Sequence, residues 1–260
     1  MKKLFLLFLL ILLTPLAFAH EESSASIDKD LKENSVLYLY LAGTISALFV
    51  VYAIYAEKKP HFTNKRKIFV FLGIIIPIIL STIYLIGTTL YVNSISESGG
   101  PVHWHADFEI YVCGNKIELK SPTGLSNKIG TEVLHHHGDN RIHVEGVLVK
   151  KGDADLHSFF EVIGGELTDN NIAIPAKSGL LTYSNGDSCN GDTGKPQVFV
   201  YKTKGTTVTQ EKLTNFEDYI LSPEVNVPPA DCIIIEFDKE KSETNHICET
   251  YRIALARGNK

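Results

Sequence analysis

The chain has 260 residues, 44 % of them hydrophobic and 21 % charged, with a formal net charge of -5. That balance, with no basic patch in the polar part of the chain, gives no sign of a nucleic-acid partner. The first 92 residues are mostly apolar, whereas the roughly 165 that follow read as one ordinary soluble domain, enough for a single good core.

Residues 1–19 have the three parts of a secretory signal peptide. Lys2 and Lys3 form a basic start, Leu4 to Leu13 is an unbroken apolar run, and Ala17-Phe18-Ala19 offers small residues for cleavage. Residues 20–35 follow as an extracytoplasmic leader. Cleavage would leave His20 at the N-terminus, where an amine and an imidazole together can chelate copper; coincidence is the plainer reading of that residue. Val36 to Ala56 and Ile68 to Val92 carry no charge over 21 and 25 residues, long enough to cross a bilayer as helices. Between them, residues 57–67 carry Lys58, Lys59, Lys65, Arg66 and Lys67 against Glu57 alone, so this loop belongs in the cytoplasm. Everything after Val92 then lies outside. The expectation is a two-pass cell-membrane protein. Gly73 and Pro77 in the second span would permit close packing or a kink, and residues 93–100 read as a short flexible linker.

Residues 101–260 are expected to form a β-rich (α+β) domain, with a histidine-rich part at 101–180 and a second β-rich part at 190–260. Val102 to Cys113 alternates. His103, His105, Asp107, Glu109 and Tyr111 share one face, and Trp104, Ala106, Phe108 and Ile110 share the other. Gly114-Asn115 reads as a hairpin turn, with Lys116 to Lys120 returning. Arg141 to Val149 is a second strand, and Leu156 to Val162 a short helix packed through Phe159 and Phe160. Further on, Gln197 to Lys202 and Thr206 to Gln210 flank Gly205, and Phe216 to Leu221 reads as a helical turn. Cys232 to Phe237 and Ile247 to Ala254 suggest a final hairpin.

All four cysteines, Cys113, Cys189, Cys232 and Cys248, follow the second span, which points to an oxidising compartment and two disulfides. Three connectivities are open. Cys232 and Cys248 are equidistant from residue 240 and would face each other across the final hairpin, which leaves Cys113 with Cys189. No C-x-x-C is present, which argues against thiol–disulfide catalysis.

Six of the ten histidines fall between residues 103 and 143. In an extended segment, residues i and i+2 point the same way. His103 with His105, His135 with His137, and His143 with Glu145 therefore make three pairs able to converge on one metal or on two close ones. Neutral imidazole suits zinc, copper and iron. The candidate ligands are His103, His105, His135, His137, His143 and Glu145, and the candidate cofactor is a divalent transition metal, zinc or copper first and iron next. Met1 is the sole methionine, which argues against a thioether site for Cu(I). His136 should point away from its neighbours. Asp107 and Asp139 are candidates for orienting imidazoles, and His157 and His246 read as ordinary structural residues.

The order of these motifs resembles an uncharacterised prokaryotic family of secreted or membrane-anchored His-rich domains. Its pattern is H-x-H, then L-H-x-H with a nearby Asp, then I-H-V-E, then a phenylalanine pair before a glycine. Here these are His103-Trp104-His105, Leu134-His135-His136-His137, Ile142-His143-Val144-Glu145, and Phe159-Phe160 before Gly164-Gly165. The resemblance spans roughly residues 100–240, includes a β-rich stretch similar to Gln197 to Asp238, and leaves out the two spans. The chain departs from the pattern at Gly138, where the family often has Asp; Asp139 comes one place later. The family brings no established activity.

The leading functional expectation is a membrane-anchored extracytoplasmic protein that binds a divalent transition metal for acquisition, sensing or delivery. The alternatives are a metal-dependent enzyme using Asp107, Glu109 or Glu145 as base, and a structural or partner-binding ectodomain without metal.

Overall fold

The computed structural model describes residues 24–57, 63–125, 127–204, 207–221, 223 and 230–257. The signal-peptide segment, His20, Lys58, Lys59 and Gly205 lie outside the described residues. The chain divides into two compact units, 1–91 and 92–260.

In the first unit, α1 spans Ser24–Glu57 and α2 begins at Asn64, running to Ile95. Both are long and apolar enough to cross a membrane. Their contacts run in opposite order along the two sequences, as in an antiparallel pair. Tyr38 meets Tyr84 edge-on with ring centroids 4.5 Å apart, the Ser46 hydroxyl donates to the Ile74 carbonyl at 3.3 Å, and Phe49 meets Phe69 at 5.4 Å. Gly73 lies directly against the Phe49 ring, where a Cβ would collide. This is the close approach that small residues allow between apolar helices.

The second unit is built on a mixed sheet. Its strands are β1 (Pro101–Val112), β2 (Asn115–Ile117), β3 (Ile129–Gly130), β4 (Leu134–His136) and β5 (Arg141–Val147). A short helix, α3 (Leu156–Val162), leads to a separate three-stranded sheet of β6 (Glu166–Leu167), β7 (Asn171–Ala176) and β8 (Gly179–Ser184). A small ladder of β9 (Ser188–Cys189) and β10 (Asp192–Thr193) precedes β11 (Lys195–Lys204), β12 (Thr207–Leu213) and β13 (Cys232–Asp238), and α4 (Glu249–Ala256) follows. The main sheet has the order β12-β11-β13-β1-β5-β4-β3, with β2 beside β1. Among the described residues of this sheet, β1 and β13 pair in parallel and the other ladders are antiparallel.

Strand alternation sorts the residues of β1 as its sequence demands. Trp104, Ala106, Phe108 and Ile110 are buried in the main core with Ile142 and Val144 of β5 and Ile233, Ile235 and Phe237 of β13. The helix α3 covers them with Phe159 and Phe160, both fully buried, and β6 and β7 add Leu167, Ile172 and Ile174. Each buried Val, Leu, Ile or Phe among them contributes about 1.5–3 kcal/mol by leaving water. Asp155 caps α3, its carboxylate accepting from the Ser158 N–H at 2.7 Å.

The opposite sheet face is covered over only part of its extent. Tyr251 of α4 packs with Phe199, Ile234 and the cystine of Cys232 and Cys248. The α4 start also meets β1. Glu109 accepts from the Glu249 N–H at 3.0 Å, and Asp107 accepts from the Thr250 hydroxyl. The C-terminal half of β1 is thus roofed by α4. The other disulfide joins Cys113 to Cys189.

Several expectations need correction. Ile247 to Ala254 is not the second strand of a hairpin: α4 occupies Glu249–Ala256, and β13 pairs instead with β1 and β11. The turn after β1 is Cys113-Gly114, not Gly114-Asn115. Val112 pairs with Asn115, and both turn residues have positive φ, 50° and 81°, as a type I′ hairpin requires. The return strand ends at Ile117 rather than Lys120. Phe216 to Leu221 does hold the expected turn, the Tyr219 N–H donating to the Phe216 carbonyl at 3.2 Å. Within the expected linker, the Glu97 and Ser98 N–H groups donate to the Val149 and Leu148 carbonyls, so that stretch is tied to the domain.

Candidate metal centre

The end of the sheet face that α4 leaves uncovered carries the histidines. Strand register places them. His105 on β1 stands opposite His143 on β5, which stands opposite His135 on β4, so three imidazoles form one row across three strands. His103 stands opposite Glu145 in the next row on the same face. Directly opposed antiparallel residues hold their Cβ atoms about 4.5–5.5 Å apart, which is why the rings meet. Between these rows, Trp104, Val144 and Leu134 point into the core and pin all three strands.

The rings form a continuous chain. Centroids lie 4.6 Å apart for His103 and His105, 4.7 Å for His105 and His143, 4.7 Å for His143 and His137, and 4.9 Å for His137 and His135. Among the described residues, one group of ligating side chains, His103, His105 and His143, brings its ligand atoms within 4.8 Å of one another. A tetrahedral zinc with bonds of 2.0–2.1 Å sets its ligands about 3.4 Å apart. A modest contraction would therefore close the three around an ion.

Glu145 lies among these rings. Its Oε1 is 3.2 Å from His103 Nε2 and 4.0 Å from His143 Nδ1, and its Oε2 is 3.9 Å from His135 Nε2. His137 lies just past β4, half-buried, and its Nδ1 is 2.5 Å from the Asn127 carbonyl oxygen. That bond commits Nδ1 as donor and leaves the lone pair on Nε2.

His143 is oriented in the same way. Its Nε2 is 3.1 Å from the Asp139 carboxylate, which makes Nε2 the protonated nitrogen and puts the lone pair on Nδ1. That Nδ1 is buried and has no hydrogen-bond partner, and the same holds for His135 Nδ1. Buried imidazole nitrogens without partners are costly, and a cation is the natural complement to a lone pair. Burial pushes Asp139 up, but the hydrogen bond from His143 and backbone N–H bonds outweigh it and hold the carboxyl down at about 2. Burial pushes His135 below the usual imidazole range, which favours the neutral, ligating form.

Other residues lie apart from the cluster. His136 faces the core: it is buried, meets the Phe159 ring at 6.3 Å, and its Nδ1 accepts from the Gly138 N–H at 3.0 Å. Burial lowers it to about 4, so it is neutral. Asp107 orients no imidazole. It pairs with Arg141 Nε at 3.0 Å and with Thr250, while burial raises its pKa. Glu109 is taken by Lys116 at 2.7 Å and by the Tyr111 hydroxyl at 2.6 Å. Of the three candidate bases, only Glu145 belongs to the cluster. His157 lies 3.2 Å from the Leu167 carbonyl oxygen, and His246 stacks on Tyr111 at 3.6 Å. The Asn127 carbonyl that holds His137 left no trace in the sequence, because a backbone oxygen has no residue identity.

The cluster opens toward solvent at one end. The His103 side chain is 61 % exposed and Glu145 40 %, against 10 % for His143 and 1 % for His135. No protein-family model, curated protein or solved structure matches the chain.

Proposed function

We propose that this chain is a two-pass membrane protein whose C-terminal domain binds a divalent transition metal outside the cytoplasm and serves in metal acquisition, sensing or delivery. The observation that carries the metal reading is the meeting of His103, His105 and His143 within 4.8 Å, with the His143 Nδ1 lone pair buried and unmet. Glu145 supplies a carboxylate beside them. This mixture of imidazole and carboxylate suits zinc and copper(II) and accommodates iron. The two disulfides and the two apolar helices, long enough to cross a membrane, support the orientation argued from the basic loop. An ion reached from the exposed His103 side can enter and leave, which acquisition and delivery both require.

A competition titration of the full chain with zinc tests this reading. His103→Ala/His105→Ala should weaken the tightest zinc affinity by more than about 100-fold, since losing even an outer hydrogen-bond partner of a ligand costs 10–100-fold. Unchanged affinity would remove the site. Catalysis is a second reading, favoured by one observation: Glu145 is half-exposed beside the imidazoles and could act as a base. An exchangeable water on the bound ion would support it, and a closed coordination shell would count against it.

A further inference from the structure

We infer that the cluster holds two divalent cations bridged by the Glu145 carboxylate, one at His103, His105 and His143 and the other at His135 and His137. This rests on the metal-binding reading above and goes further in the number of ions and in the role of Glu145.

The two oxygens of Glu145 face different imidazoles. Oε1 looks toward His103 and His143, at 3.2 and 4.0 Å, whereas Oε2 looks toward His135, at 3.9 Å. A gap near 4 Å is too long for a hydrogen bond. Two ligands of one tetrahedral ion stand about 3.4 Å apart, so a small contraction would seat an ion between the atoms. The carboxylate therefore presents one oxygen to each half of the cluster, as a bridging ligand does.

The second half has its own ligands. His135 is buried with a side chain only 1 % exposed, its Nε2 is the nitrogen turned to Glu145 Oε2, and no hydrogen bond on Nδ1 holds the ring, so hydrogen bonding does not account for this imidazole. His137 stands beside it at 4.9 Å between centroids and keeps Nε2 for a ligand, because Nδ1 is held by the Asn127 carbonyl. The His135 and His143 rings lie parallel, 6° apart in plane, with centroids 5.6 Å apart. Five imidazoles and a carboxylate are also more ligands than one tetrahedral ion takes, and two ions about 3.5–4 Å apart would share them, as in two-metal sites. One carboxylate shared by two cations also places its single negative charge where both benefit. The solvent-facing ion, at His103, would exchange more readily than the one held at the buried His135.

The test loads the full chain, purified in detergent, with zinc, removes loose ion by dialysis, and measures zinc per chain with X-ray absorption of the bound metal. Two zinc ions per chain and a zinc–zinc distance of about 3.5–4 Å are expected. His135→Ala/His137→Ala should keep one ion and lose that distance, and Glu145→Gln should lose the distance as well. The zinc–zinc measurement on the unaltered chain needs no variant, so misfolding of a variant cannot mask the answer. One zinc per chain that depends on His103 and His105 would overturn the two-ion inference and leave the proposed function standing. No zinc at all would overturn both. Two ions that persist in His135→Ala/His137→Ala would put the second ion elsewhere and overturn the inference.

Discussion

Asp139 shows how one residue outside the ligand set controls the ligands. Its carboxylate fixes the proton of His143 on Nε2, and the turn that carries it is held by the Arg141 N–H at 3.3 Å. Replacing Asp139 with Asn should lower zinc affinity about 10–100-fold without changing the number of ions bound. Competition against a chelator of known affinity measures this, and an unchanged affinity would mean that His143 is oriented by something else. His136 gives the contrasting case. Truncation to Ala removes a buried ring packed near Phe159 and should cost about 2–5 kcal/mol of stability, the range for large-to-small core changes, while zinc content stays the same. Urea unfolding beside elemental analysis separates the two effects, and loss of zinc from a folded His136→Ala chain would contradict the assignment. The sequence made the facing of these residues legible, because alternation along a strand decides which side chains share a side. It could not place Asp107. That residue shares a face with His103 and His105, but α4 covers its half of β1 and Arg141 and Thr250 take its oxygens. Alternation fixes the face and says nothing about what packs on it.

At the scale of elements, the long strands with strong alternation were legible and the short or covered ones were not. β1, β5, β13 and α3 fall where pattern and composition put them. Ile247 to Ala254 alternates too, yet the same residues satisfy a helix that buries Tyr251 one turn after Cys248. With eight residues and few buried positions, periodicity alone does not separate the two. β3 and β4 have two and three residues, too few to show any period, although they carry His135 into the row. Gly130 makes that placement possible. It stands opposite His135 with φ of 122°, and a Cβ there would press on the Leu134 carbonyl oxygen and the His135 Cα. Gly130→Ala should therefore destabilise the domain by about 1–3 kcal/mol through the backbone alone and weaken zinc binding by displacing His135. A thermal melt and a zinc titration check both; a variant as stable and as tight as the parent would show that β4 is not constrained there.

The whole domain depends on covalent closure as well as on its core. Cys113–Cys189 closes a separation of 76 residues and Cys232–Cys248 one of 16. On chain-entropy grounds the first constrains the unfolded chain by about 4.5 kcal/mol and the second by about 3. Replacing each pair with Ala, one pair at a time, should lower the denaturation midpoint in that order, and the reverse order would show that the local contacts of α4 matter more than loop length. The pairing itself could be reached from the sequence only as one of three, because spacing around residue 240 says nothing of the register that brings Cys113 to Cys189. The central claim is that the domain holds a metal through the imidazoles of His103, His105 and His143 on two neighbouring strands. Elemental analysis of the full chain, isolated without chelator and set beside His103→Ala/His105→Ala, tests it most directly. Near-stoichiometric zinc, copper or iron in the parent, with at least one ion fewer in the folded variant, is the expected result. Equal metal content in the two proteins, or none in either after equilibration with zinc and copper, would contradict it.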